Sequence, residues 1–596
     1  MSVFLFALQH WGALLFFALS CYGIGWCVLA VCRASRDDAQ GRWLQVAAGV
    51  ALHTAAMLAL AVAGHLRAGP LVALLAAGGV VGLACASIDF NAWRAMRNGD
   101  HRPPRDGAGR ATRLGAGVLA AVVLLPFLLL PLRPPLIWDE VMYHLPHARE
   151  WAESGLLTVN TWLRYPWSPA GMSVLYAAAL VLMGDVLPHV VSAGAGLLVA
   201  ALIASEGQRW GRGTAVLASV IWLALSISEY KTATSDLGLV LFVFGSLLAA
   251  GRWIERRDRE GDGWLLVGGL LLGAALGVKY HAMLFALPCA LVLGYAHFRQ
   301  PVPLRTWAGV VALVALPCGY WYLRNWGATG NPINPLAPSV FGYFDWNARD
   351  MAFQHWDLDR AAKPPPPIVY VAALAPLLGI FRRSPVVRAF YGWSLVAAAI
   401  WLATSRFPRY LMPAYPVIAL LAAAVLTEAG RRCCRAAARW PCTPALVRAR
   451  GALAPAGMWV GAVLAAVLVF GAKDHIELGK IATRADEREA ILRGSLAAYP
   501  IVHELPDAPG QRIYQIGLEY LIYYLPRGVR GDHFGPWRYA DYDLPPQALA
   551  DKLRTGGFAY LLMDADTFRR LRGDPDWAAY FRQTASVPGA AVLAVR

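Results

Sequence analysis

The sequence predicts an all-α polytopic membrane protein of about fourteen transmembrane helices, with a small α/β C-terminal domain on the outer face. Three observations predict it. Apolar residues make up 58% of the 596 positions and charged residues only 15%, against about 25% charged in soluble domains. Apolar runs long enough to cross a bilayer recur along the chain. Arginines gather in the short segments between alternate pairs of runs, the positive-inside pattern. The formal net charge of +16 sits largely in those segments, so no nucleic-acid partner is expected.

The first runs lie near 10–31, 43–64 and 70–89. The N-terminus lacks a basic leader and a cleavage pattern, so the first run is expected to be a retained span. Arg33, Arg36 and Arg42, then the stretch from Arg94 to Arg113, are assigned to the cytoplasm. A fourth run, 114–132, crosses outward and delivers Asp139-Glu140 to the outer face. Val141, Leu145, Ala148 and Ala152 then recur at helical spacing, predicting a short amphipathic helix on the membrane, opened or kinked by Pro146.

Residues 170–183 are apolar but short. Counting back from Arg252, Arg256, Arg257 and Arg259 places both ends of this segment outside, so a juxtamembrane or re-entrant helix is expected. Runs 186–204, 214–228, 234–250, 264–279, 282–297, 306–323, 367–381, 389–404, 411–427 and 456–472 complete the set. Every further basic segment, 299–305, 382–388 and 431–450, then falls inside.

Three divisions follow. Residues 1–113 are additional N-terminal helices with a basic cytoplasmic loop. Residues 114–472 are the transmembrane core, with outer loops 135–185 and 324–366. Residues 473–596 form the outer α/β domain. Its helical patterns lie at 477–496, 546–554 and 564–572, and its strands at 512–517, 558–563 and 591–595. The aromatic stretch from Tyr520 to Tyr542 is expected to pack in its core. Cysteines fall in or beside apolar runs or in a basic loop, so no structural disulfide is expected.

Ionisable and polar residues gather at the outer ends of the spans. Asp139 and Glu140 are joined there by Tyr143, His144, Tyr165, Glu229, Lys231, Asp236, Lys279, Tyr280, His281, Arg324, Asn325, Arg406 and Arg409. Lysine is rare, and the positive-inside rule disfavours cations on this side. Lys231 and Lys279 therefore suggest an anionic partner, such as a lipid-linked phosphate held by Lys and Arg. A carboxylate beside it would take the proton of an incoming hydroxyl. The ordinary readings are snorkelling for Lys231, helix capping for Asp236 and a structural hydrogen bond for His281. Glu140 and His144, with His147 in phase on a continuous helix, form a possible site for a divalent cation such as Mg or Mn, bridging to the phosphate.

These motifs, in this order, resemble the GT-C superfamily of membrane glycosyltransferases, in the branch of protein O-mannosyltransferases and lipid A aminoarabinose transferases. The resemblance covers roughly 114–430. It rests on Trp138-Asp139-Glu140-x-x-Tyr143 in the first large outer loop and on the Tyr165-Pro166-Trp167-Ser168-Pro169 lead-in. It continues with the turn from Ser228 to Asp236, a Gly-rich span ending in Lys279-Tyr280, and Tyr322-Leu323-Arg324-Asn325 followed by Thr329-Gly330-Asn331-Pro332. Three additional spans before the loop, and an altered lead-in, depart from the family.

The resemblance implies an inverting transfer of a sugar from a polyprenyl-phosphate donor to a lipid, glycan or protein acceptor at the periplasmic face of the bacterial inner membrane. It implies Asp139 as the base, with Glu140 orienting the acceptor or a metal. The alternatives are a transporter or flippase, or a polymerase or ligase, of lipid-linked glycans. Few charges lie deep in the runs and no internal repeat is visible, which disfavours transport.

Overall fold

Three long helices open the chain: α1 (Val3–Cys32), α2 (Ala39–Val62) and α3 (Ala68–Asn98). The computed structural model describes residues 2–98, 120–121, 123–438, 478–505 and 512–596. The run 456–472, residues 114–119 and 122 of the run 114–132, and the basic stretches 99–113 and 439–450 lie outside the described residues. α1 and α2 begin where a polar side chain takes up a free backbone N–H. Ser2 accepts from Leu5 at 3.3 Å, and Asp38 from Gly41 at 2.7 Å. The two helices then approach too closely for any side chain. A Cβ on Gly25 would lie 1.8 Å from the Gln45 carbonyl oxygen, and one on Gly49 would lie 1.9 Å from that of Cys21.

The sequence sets 1–113 apart, yet α2 shares one apolar core with the later helices: Leu44, Ala48 and Met57 join Phe242, Leu271 and Leu420. Its start is also tied to two of them. Gln40 donates to Glu206 at 2.6 Å, and Arg252 donates to both Asp38 oxygens at 2.7 and 2.9 Å.

Next come a π turn, Glu140–His144, and α4 (Leu145–Ser154), with Pro146 in its first turn. They are followed by α5 (Gly171–Met183), α6 (Leu187–Trp210), α7 (Arg212–Ser226), α8 (Asp236–Glu260), α9 (Gly263–Val278), α10 (Ala282–Arg299), α11 (Leu304–Thr329), α12 (Ala348–Arg360), α13 (Pro385–Thr404) and α14 (Tyr415–Ala438). Among the described residues, 10 helices are long and apolar enough to cross a membrane, and the protein is a multi-pass membrane protein. Two further predicted runs differ from ordinary spans. Run 264–279 forms α9, of only 16 residues. Run 367–381 is not one helix: it breaks into Ile368–Ala372, Ala375–Leu377 and Gly379–Arg383, with Pro376 in the first turn of the second piece and Gly379 opening the third.

α5 is buried from Gly171 to Ala179, so it is enclosed by protein, which a re-entrant helix allows. One short element differs from expectation. α4 does not lie on the membrane as an amphipathic helix. One side packs on α5 and the bundle, and Arg149 on the other side donates to the C-terminal carbonyls of Tyr523 and, at 3.1 Å, of Leu525.

The C-terminal segment contains α15 (Ala485–Ser495), α16 (Pro546–Thr555), α17 (Ala565–Leu571) and strands β1 (Arg512–Ile516), β2 (Val529–Arg530), β3 (Phe558–Asp564), β4 (Phe581–Val587) and β5 (Ala590–Val595). The sheet order is β2-β1-β3-β5-β4. β1 runs parallel to β2 and β3, and β5 pairs antiparallel with β3 and β4. The sequence locates β1, β3 and β5 and misses the two edge strands. β2 has two residues, and β4 is largely polar and exposed, as an edge strand requires. The core on one side of this sheet includes Met142 and Leu163 together with Ile501, Leu521 and Val592. The loop 135–185 and the C-terminal unit therefore share a core.

Candidate active site

Asp139 immediately precedes the π turn. Its carboxylate accepts from Arg409, just ahead of α14. The Arg409 Nε lies 3.6 Å from Asp236 Oδ2, at the start of α8. The Lys279 Nζ, beyond the end of α9, lies 3.5 Å from Asp236 Oδ1. Four segments distant in sequence thus build one alternating chain: Asp139, Arg409, Asp236, Lys279. Helix ends favour Asp236 and Lys279, because a carboxylate suits a first turn and a cation suits a last one, whereas Arg409 precedes a helix start and is held by the two carboxylates instead. Capping does not account for Asp236. It is the first helical residue, Ser235 holds the cap position, and no side-chain cap bond forms.

Aromatic rings border the chain. The Lys279 ammonium lies 5.2 Å from the Tyr410 ring centre, and that ring meets His281 at 4.0 Å. Tyr143 packs on His144 at 4.3 Å and on Tyr165 at 5.0 Å. Glu229 is buried close by and accepts from Ser228 and Thr234, each at 3.2 Å.

Burial acts to raise the Asp139 pKa, but Arg409 more than offsets it and holds the carboxyl below its ordinary value. Burial, reinforced by the Lys279 charge, pushes His144 down to about 3. At neutral pH Asp139 is therefore ionised beside a neutral imidazole. Such a site can hold an anion on its cations and accept a proton on Asp139.

Glu140 behaves differently from expectation. It is fully buried, and Oε1 accepts from the Leu136 and Ile137 amides at 2.7 and 2.8 Å. Oε2 accepts from His189 at 2.8 Å and from the Ala233 amide at 2.7 Å. Four donors occupy its acceptor capacity, so it locks the loop in place and has none left for an acceptor or a metal. His144 instead faces the Ser173 hydroxyl at 3.4 Å. The Glu140 and His144 metal pair is thus not assembled, and no group of three or more His, Cys, Asp or Glu suited to a metal occurs among the described residues.

Tyr280, Arg324 and Asn325 form a second cluster, a structural tie. Asn325 donates to the Trp167 carbonyl at 2.7 Å and to the Tyr280 hydroxyl at 2.6 Å, and accepts from Arg324 at 2.8 Å. Tyr165 adopts a φ of 58° and donates to Gln354 at 3.0 Å. Lys231 is half-buried at the end of the turn Ile227–Lys231. Arg406 is exposed, with a φ of 50°, and its carbonyl accepts from the Lys363 amide at 3.0 Å.

Sequence reading missed His189 and the grip of the C-terminal unit on the loop. The Tyr523 amide donates to the Val141 carbonyl at 2.9 Å, and the Tyr524 hydroxyl donates to that of Pro135. Arg164 is buried between Asp532, which its Nε reaches at 3.0 Å, and the faces of Trp138 and Phe534 at 4.7 and 4.8 Å. Arg538 reaches Asp350 at 2.9 Å, joining the loop 324–366. The aromatic stretch 520–542 thus also forms this interface. No periodicity signals such contacts, since the ties to the C-terminal unit join residues far apart in sequence, from 188 to 389 positions.

Two solved structures share this architecture. ArnT from Cupriavidus metallidurans bound to undecaprenyl phosphate superposes with a TM-score of 0.51 at 17% identity, covering 80% of this chain and 97% of that one. ArnT from the same organism in the apo state gives a TM-score of 0.50 at 17% identity, over 81% and 98%. The chain has the GT-C fold. The matches found by sequence cover less of this chain. Residues 487–594 match the family described as SF2091/S2213. Uncharacterized protein SF2092/S2214 of Shigella flexneri is 26% identical over 112 residues, 17% of this chain. Uncharacterized protein SF2093/S2215 of the same organism is 46% identical over 59 residues, 10% of this chain. The chain spans 61% and 29% of the lengths of those two relatives.

Proposed function

We propose that this protein is an inverting glycosyltransferase that moves a sugar from a polyprenyl-phosphate donor to a hydroxyl of a cell-envelope lipid, glycan or protein. It works at the periplasmic face of the bacterial inner membrane. The observation that carries the reading is the alternating, largely half-buried chain Asp139, Arg409, Asp236, Lys279. Its setting in the fold of a protein crystallised with undecaprenyl phosphate supports a lipid phosphate as the anion.

The chemistry follows from the charges. The donor phosphate takes the Arg409 guanidinium and the Lys279 ammonium as its partners, which releases Asp139. The acceptor oxygen attacks the anomeric carbon from the side opposite the phosphate. Its proton passes to Asp139 as the carbon–oxygen bond to the phosphate breaks. Polyprenyl phosphate leaves, and its charge stays neutralised on Arg409 and Lys279. Glu140 and His189 act indirectly by fixing the loop that carries Asp139.

Asp139→Asn in the full-length protein tests the assignment. Transfer from a polyprenyl-phosphate sugar should fall by about 10²–10⁴, while binding of polyprenyl phosphate is retained. Full turnover in this variant would remove Asp139 as the base.

A further inference from the structure

At the end of the bundle away from Asp139, three helices part. α8 leaves the charged cluster at Asp236 and ends at Glu260, α10 leaves it after His281 and ends at Arg299, and α13 begins at Pro385. Between them lies a cleft of about 750 Å³, open to the side of the bundle. That volume is in the range of pockets that enclose a whole small ligand, roughly 300–1,000 Å³. Its wall is apolar: Pro288, Leu291, Val292, Trp393 and Val396. Leu291 is 57% exposed on it. Inside a bilayer a cavity walled this way gains dispersion contacts only from another apolar group.

The rim is cationic. Arg257, Arg299 and Arg388 line the same cleft. Arg257 is held by Asp262 at 2.9 Å and by the carbonyls of Gln300 and Pro301. Arg299 and Arg388 have no carboxylate partner among the described residues. Arg299 donates to the Tyr295 hydroxyl at 3.1 Å, and Arg388 donates from one nitrogen to the Arg382 carbonyl at 2.8 Å. Each guanidinium carries five N–H donors, so both retain donors for an anion. Alkyl wall and arginine rim together match one ligand class. Basic pockets between transmembrane helices on the cytoplasmic side take anionic lipid headgroups, and the positive-inside pattern assigns this end to the cytoplasm.

We infer that this cleft is a binding site for an anionic membrane phospholipid, its phosphate on Arg299 and Arg388 and an acyl chain against Leu291 and Val396. The site is separate from the one that takes the donor and does not depend on the transferase reading.

The test uses the full-length protein in a neutral detergent, titrated with phosphatidylglycerol, phosphatidylcholine or polyprenyl phosphate, with bound lipid counted by native mass spectrometry. The wild type should hold phosphatidylglycerol in preference to phosphatidylcholine. R299Q/R388Q should bind phosphatidylglycerol roughly thirtyfold more weakly, about fivefold per arginine. Leu291→Trp, which fills the groove without touching a charge, should lower occupancy by both phospholipids. Three results would each overturn the inference: wild-type phosphatidylglycerol affinity in R299Q/R388Q, equal binding of phosphatidylcholine by the wild type, or a loss confined to polyprenyl phosphate.

Discussion

Adjacent carboxylates at 139 and 140 have opposite fates, and backbone geometry separates them. Asp139 faces a cation and Glu140 faces four N–H donors. Glu140→Gln keeps the shape but sets an NH₂ group against one of those donor pairs. It should cost about 3 kcal/mol, read as a lower apparent Tm. Arg409→Gln acts on the chemistry instead. Polyprenyl-phosphate affinity should fall about 10–100-fold. Since Arg409 holds the Asp139 pKa down, its loss should move the acid limb of the pH–rate profile to higher pH. A third residue reports on stability. Burial pushes His147 down to about 4, against the hydrogen bond to the Arg164 carbonyl that raises it. The unfolded chain binds that proton near pH 6.5, so its contribution is intact above that value and is lost as pH falls from about 6.5 to 4. In His147→Gln the decline of apparent Tm across that window should be shallower.

Helices and turns explain which parts of this were legible in the sequence. Positive-inside counting places Asp139, Asp236, Lys279 and Arg409 at one end because hydropathy and arginine spacing are local properties, and the structure brings those four together. The glycines before Lys279 are legible as a motif, but not their reason. Gly269, Gly273 and Gly277 let α9 lie against α11, where a Cβ on Gly273 would come within 2.2 Å of the Val314 carbonyl oxygen. The surroundings of α4 were not legible. Its amphipathic pattern reads equally as a membrane-surface helix or as one covered by another domain, and only the chain order of contacts decides. Arg164 is the critical joint there. Arg164→Ala leaves Asp532 buried without its partner and should cost about 3–5 kcal/mol. The apparent Tm should fall, and limited proteolysis should release the segment after residue 478 faster than in the wild type.

At the scale of the whole molecule, the sequence separates three domains where the structure has shared cores: α2 belongs with the later helices, and Met142 with the C-terminal sheet. Compositional boundaries mark where polarity changes, and cores form across them. The grip on the Asp139 loop has a consequence in time. Its hooks at Tyr523 and Tyr524 lie 374 and 389 residues downstream of the Arg149 and Pro135 groups they meet. During synthesis, every described helix of the bundle leaves the ribosome before those hooks exist. The outer hold on the loop is therefore added only when the last fifth of the chain arrives, after the bundle residues that grip Glu140 and build the charged cluster have been made.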